Sequence, residues 1–232
     1  MRLKPKTVRR LLLLAVVAML VIGGAFSLFV VRGWQTARRL EAHRRDGLAA
    51  FAAGDHRKAI EELVRYVQAE KHADPEVWLA LADAGQKLEQ PDFGHLRSAA
   101  RSLREYLLLK PDDHARRLEF IRLSNQTGSY VDALDAAQRL RPANLDNCTV
   151  EHVEVLREEA VALTASRIYN DRLDAVVDRL LALAPLDLQG CLIRLEHWGR
   201  TNRKPDARQA AQALAAAHPQ SPVAQLDRKS VV

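Results

Sequence analysis

The side chains able to do chemistry are scattered along this chain. Eight histidines stand at positions 43, 56, 72, 95, 114, 152, 197 and 218. The densest group is Glu151, His152 and Glu154, followed by the adjacent carboxylates Glu158 and Glu159. A metal needs donors on one face, and helix neighbours one or two residues apart diverge around the axis. These groups therefore read as a solvated face. Cys148 and Cys191 do not form a CxxC pair, so zinc and thioredoxin-type chemistry are excluded, while a disulfide between them stays open in an oxidising compartment. There is no GxxxxGK[ST], GxGxxG, GxSxG or HExxH. No catalytic, cofactor or metal site is expected, and the chain is not expected to be an enzyme. Asn125-Gln126-Thr127 and Asn147-Cys148-Thr149 match the glycosylation sequon and read as chance matches in a chain of bacterial appearance.

Without a reaction to place, the elements themselves become the argument. The 232 residues are 48% hydrophobic but only 5% aromatic, with 10 glycines and 9 prolines, which favours helix over sheet. The net charge of +6 is unevenly spread. Residues 1–45 hold ten basic residues and one acid, Glu41, whereas the remainder holds 25 basic and 28 acidic residues. The body is thus mildly acidic and lacks the footprint of a nucleic-acid binder.

The basic residues flank an apolar run. Residues 1–10 form a basic tail, and Leu11 to Val31 are 21 residues without a charge. At about 1.5 Å per residue such a helix spans roughly 30 Å, the thickness of a bilayer core. Arg9 and Arg10 precede the run, Arg32 follows it, and Trp34 occupies an interfacial position. A single transmembrane anchor at 11–31 is expected. The alternative is a signal peptide cleaved near Ala25-Phe26-Ser27, but the apolar run continues to Val31, beyond what such a peptide needs. Nearby basic residues number five on each side, so charge alone does not orient the anchor. A short tail before one anchor places the N-terminus in the cytoplasm and the body outside the cytoplasmic membrane. Gly23-Gly24 offers a weak helix-contact site.

After the anchor, helix signals recur in pairs. A helix over 35–53 ends at Gly54-Asp55, where Asp55 caps the next. Ala59, Ile60, Leu63, Val64 and Val67 then form one apolar stripe. Asp74-Pro75 opens a further helix whose face is Trp78, Leu81, Ala82 and Gly85. Ala99 and Ala133, each in a second helix, lie 34 residues apart. That period marks stacked helix hairpins.

On these residues the chain resembles the tetratricopeptide repeat (TPR) family. The family pattern is a small residue in helix A, a turn glycine, an alanine in helix B and a proline before the next unit. Gly47, Gly54, Ala59 and Pro75 match the first unit, Trp78, Leu81, Ala82, Ala99 and Pro111 the second, and Gly128, Ala133 and Pro142 the third. Ala175 and Pro185 match the fourth, which lacks a turn glycine at Tyr169-Asn170, and Trp198, Ala207 and Pro219 match the fifth. The resemblance implies an all-α chain, a right-handed α-solenoid of about five hairpins over 32–226, with units near 36–73, 74–110, 111–148, 149–185 and 186–220. Spacing is irregular, with an enlarged turn at Leu88–His95, a longer linker at Arg141–Asn147 and a long helix over Val150–Ile168.

The resemblance further implies a scaffold that binds proteins or peptides along a groove lined by helix A. Candidates for that lining are His43, Asp46, Ala50, Leu79, Asp83, Lys87, Arg117, Ser124 and Asn125. The family's carboxylate clamp of lysine and asparagine is not carried over, because the first helix offers His43 and Asp46. The last six residues, Asp227–Val232, resemble translated sequencing adapter and are expected to be non-native, with further sequence beyond Leu226. Two functions follow: a membrane-anchored scaffold without catalysis, or the recruiting module of a larger enzyme or assembly factor.

Overall fold

The computed structural model describes residues 5–70, 74–88, 92–167 and 171–200, with isolated helical positions at 209, 211–212 and 215–216. Within 5–30 only the side chains of Met19 and Phe29 are described. The surroundings of Gly23-Gly24 and the side chains of most of the apolar run 11–31, together with Pro91, Ala207, Pro219 and the tail 227–232, lie outside the described residues. Among the described residues no helix is long and apolar enough to cross a membrane.

The chain divides into two compact units, Met1–Ala80 and Leu81–Val232. In the first, α1 runs without interruption from Pro5 to Ala52. It ends because Gly54 adopts φ +79°, and the amides of Gly54 and Asp55 turn back to the carbonyls of Phe51 and Ala50. That pattern satisfies the carbonyls a helix end leaves open, and only glycine takes the left-handed position without strain. Asp55 then caps α2 (His56–Ala69), its Oδ1 accepting from the Lys58 amide at 3.1 Å. The α1–α2 crossing is tight at Gly47. A Cβ there would stand 2.6 Å from the Leu63 side chain, so the hairpin closes only over a glycine. Helix α3 (Pro75–Lys87) starts on its proline as the sequence predicts, and residues 75–80 complete this unit.

The second unit holds the rest of α3, then α4 (Gly94–Leu109), α5 (His114–Gln126), α6 (Tyr130–Leu140), α7 (Val153–Ala165), α8 (Asp171–Leu183) and α9 (Leu188–Arg200). From α4 to α9 each helix packs on the next, and α5 also touches α7, as α7 touches α9. Alternate helices therefore stack as one row. The enlarged turn is shorter than 88–95, because α4 begins at Gly94. The helix expected over Val150–Ile168 is split into a short 3-10 turn at Val150–His152 and α7.

One core runs through this unit. Leu103, Ile121, Leu156, Leu163, Leu173, Val176 and Leu180 are fully buried in it beside Ala82, Ala99, Ala133 and Ala137. Each large aliphatic side chain contributes about 1.5–3 kcal/mol by leaving water. The alanines mark where backbones come close: a Cβ on Gly85 would sit 3.3 Å from that of Ala99. The fourth unit corrects the sequence reading. Ala175 is exposed, and Leu173, Val176 and Val177 carry the buried face of α8. The alanine falls one residue out of phase, which rotates it about 100° off the core stripe. Gly190, which the sequence reading passed over, occupies a crossing instead, with its would-be Cβ 2.8 Å from Leu180.

Candidate protein-binding face

The A helices α5, α7 and α9 carry the polar chemistry of the second unit. Charged side chains one repeat apart pair across successive A helices. Arg116 of α5 donates to both oxygens of Asp83 on α3, at 2.7 and 3.0 Å, and to Glu119 at 2.7 Å. Gln86 donates to Glu119 at 2.6 Å. One step on, Arg122 reaches Glu154 at 2.6 Å, and Asn125 donates to Glu158 Oε2 at 2.8 Å. Next, Arg157 of α7 donates to Asp187 at 2.5 and 2.8 Å. Asp187 uses its other oxygen to cap α9, accepting from Gly190 N at 2.8 Å. Within the first unit the same step appears as Arg44 on Asp74 at 2.8 Å.

Beside this ladder, between α7 and α9, lies a cleft of about 350 Å³. Val161, Thr164, Ala165, Gln189, Leu192, Ile193 and Glu196 line it. Its floor is aliphatic and its rim polar, suited to an apolar side chain with hydrogen-bonding backbone nearby.

The candidate groove residues separate into three groups. Asp83 and Asn125 belong to the ladder, and Lys87 is exposed. Ala50 and Ser124 are buried, so they line no surface, and Leu79 is half-buried. His43 faces α2, its Nδ1 2.6 Å from Glu62, and Asp46 accepts from Arg45 at 3.0 Å. Arg117 turns back onto the Pro111 carbonyl, and its neighbour Arg116 makes the inter-repeat contact. Arg116, Glu119, Arg122, Arg157 and Asp187 were missed by sequence reasoning, and Glu158, read there as a solvated carboxylate, takes part in the ladder. Opposite charges separated by about one repeat, as Asp83 and Arg116 are by 33 residues, were the legible signal.

The junction of α6, α7 and α8 holds a buried ion cluster. Glu159 is fully buried and accepts from Arg141 at 2.5 and 3.0 Å and from Arg172 at 2.7 Å. Cys148, also buried, lies near Arg141 and Arg179, and burial pushes its thiol above the ordinary value. Both cysteines are free. His152 caps its own turn, accepting from the Thr149 amide at 3.1 Å, while Glu154 is taken by Arg122.

No protein-family profile and no curated protein matches the sequence. Solved structures do. A MamA point mutant superposes with a TM-score of 0.57 at 19% identity, covering 80% of this chain and 95% of that one. A tetratricopeptide repeat protein from Parabacteroides merdae ATCC 43184 gives 0.59 at 18% identity, covering 84% and 72%. A second MamA crystal structure gives 0.56 at 14% identity, covering 79% and 94%. At such identities the likeness is one of fold. Together with the row of A helices and the helix-by-helix packing, it establishes an all-α, TPR-like helical repeat fold for this chain.

Proposed function

We propose that the chain is a membrane-anchored TPR-like scaffold that holds a protein or peptide partner on its A-helix face and carries no catalysis of its own. The observation that carries this reading is the cleft between α7 and α9, an aliphatic floor beside the charged inter-repeat ladder. The uncharged run 11–31 and its continuity with α1 support the anchor, with the N-terminus in the cytoplasm and the repeats outside the cytoplasmic membrane. The repeat units near 36–73, 74–110, 111–148, 149–185 and 186–220 belong to the same proposal.

Two measurements test it. A photo-crosslinking residue at Gln189 in the cleft gives a partner adduct in cells, whereas one at exposed Val131 on α6 does not. Equal labelling at both sites overturns the assignment of the face. Alkaline extraction of membranes leaves the full chain in the pellet. Recovery in the soluble fraction with Leu28 as the first residue establishes a secreted protein instead.

A further inference from the structure

The stretch of α1 just after the apolar run is exposed on every side from Val31 to Arg39. It carries Arg32, Trp34, Arg38 and Arg39. Acids elsewhere in the unit neutralise the next two arginines, Arg44 through Asp74 and Glu76, and Arg45 through Asp46. Among the described residues, Arg32, Arg38 and Arg39 have no carboxylate partner. Arg32 and Arg39 fall on one side of the helix and Trp34 and Arg38 on the other, at 100° per residue. The cations thus form a collar rather than a stripe. A stripe suits a helix lying on a surface, whereas a collar suits one crossing it.

The Arg38 guanidinium lies over the Trp34 ring, its carbon 3.7 Å from the ring centre. Side chains on a helix lean toward its N-terminus. Here that lean brings the charge back by about one turn, roughly 5 Å, toward the apolar run. Trp34 begins about 4–5 Å beyond Val31, within the headgroup layer of a bilayer whose core ends there. Trp34, 56% exposed, gives one ring face to the cation and keeps its edge free for an acyl boundary.

We propose that Trp34 and Arg38, with Arg32 and Arg39 completing the collar, form a site for the phosphate of anionic phospholipid headgroups. The proposal rests on the anchor at 11–31. The guanidinium is planar, stays charged and can present two N–H donors to one phosphate while its π-face stays on the indole. Charge complementarity selects an anionic lipid over a zwitterionic one, whose choline would stand against the same arginines.

The test uses the full chain reconstituted into phosphatidylcholine vesicles that contain a minority of phosphatidylglycerol. Either lipid is supplied with bromine near the top of its acyl chains, and the Trp34 signal is isolated by subtracting the Trp34→Phe variant. Brominated phosphatidylglycerol is expected to quench Trp34 more strongly than brominated phosphatidylcholine at the same mole fraction. Arg38→Gln reduces that preference, by up to about five-fold in relative lipid affinity. Arg32→Gln with Arg39→Gln removes most of what remains, and added inorganic phosphate leaves it in place. Equal quenching by both lipids overturns the headgroup site and leaves the anchor standing. No quenching by either overturns the anchor itself. Preference abolished by inorganic phosphate identifies a free-anion site and overturns the lipid one. Arg38 is exposed and outside any core, and unchanged helical circular dichroism verifies that its variants fold.

Discussion

Two backbone positions are controlled by single residues. Gly47 lets Leu63 close onto α1, and a methyl group there meets that side chain at 2.6 Å. Gly47→Ala is expected to destabilise the chain by about 1–3 kcal/mol through overpacking, read as a lower thermal midpoint. At the end of α7 the left-handed position filled by Gly54 and Gly128 in other units is filled by Arg167, at φ +58°. Its amide still closes the helix on the Thr164 carbonyl at 3.0 Å. Arg167→Gly keeps that hydrogen bond and relieves the Cβ strain, so a gain of about 1 kcal/mol is expected in chemical denaturation. The sequence offers no turn glycine at Tyr169-Asn170. The turn instead closes two residues earlier on a residue that tolerates the strain, which no local pattern announces.

Between elements, two contacts dominate the argument. The α6–α7–α8 junction turns on Glu159, buried between Arg141 and Arg172. Glu159→Leu strands the buried Arg141 charge and is expected to destabilise by about 3 kcal/mol. Adding Arg141→Met should restore much of that, and equilibrium unfolding of both variants measures the recovery. The α4–α5 junction is held by Tyr106 donating to Asp113 at 2.8 Å while Asp113 caps α5. The Arg116 amide, then the Tyr106 hydroxyl, hold the Asp113 carboxyl below its ordinary value of 3.8. A depressed carboxyl stabilises the fold fully above the unfolded value, and this contribution is lost as pH falls through the lower folded one. The hydrogen bond to Asp113, then burial, raises the Tyr106 hydroxyl above 10.0, so its contribution is lost as pH rises through the folded value. Tyr106→Phe should move the Asp113 titration upward in carboxyl NMR and leave the α5 cap in place.

At the scale of the molecule, stability within the second unit is spread along hairpins that each touch the next, from α4 to α9. Amide exchange is expected to be slowest in α5 and α7, around Ile121 and Leu156–Leu163, where both hairpin and stacking contacts bury the helix. It should be faster in α9, and uniform protection across the helices would contradict this gradient. The charge asymmetry belongs to this scale as well: basic residues gather at the start of the chain, while several arginines of the repeats, such as Arg116 and Arg157, are paired with carboxylates.

Helix type, the hairpin order and the turn at Gly54-Asp55 could be read from the sequence because each is set within four or five residues. A 3.6-residue stripe, a cap and a left-handed glycine are local instructions. So are the small residues at Gly47, Ala59, Ala99 and Ala133, which are buried at the crossings. What tertiary structure decided is the rotation of each hairpin of the second unit on its neighbour within that unit. That rotation selected Arg116 rather than Arg117 for Asp83, buried Val176 while exposing Ala175, and brought Arg141 and Arg172 onto Glu159. It depends on helix lengths and linker paths summed over about a full repeat, and a single residue shift turns a side chain by about 100°.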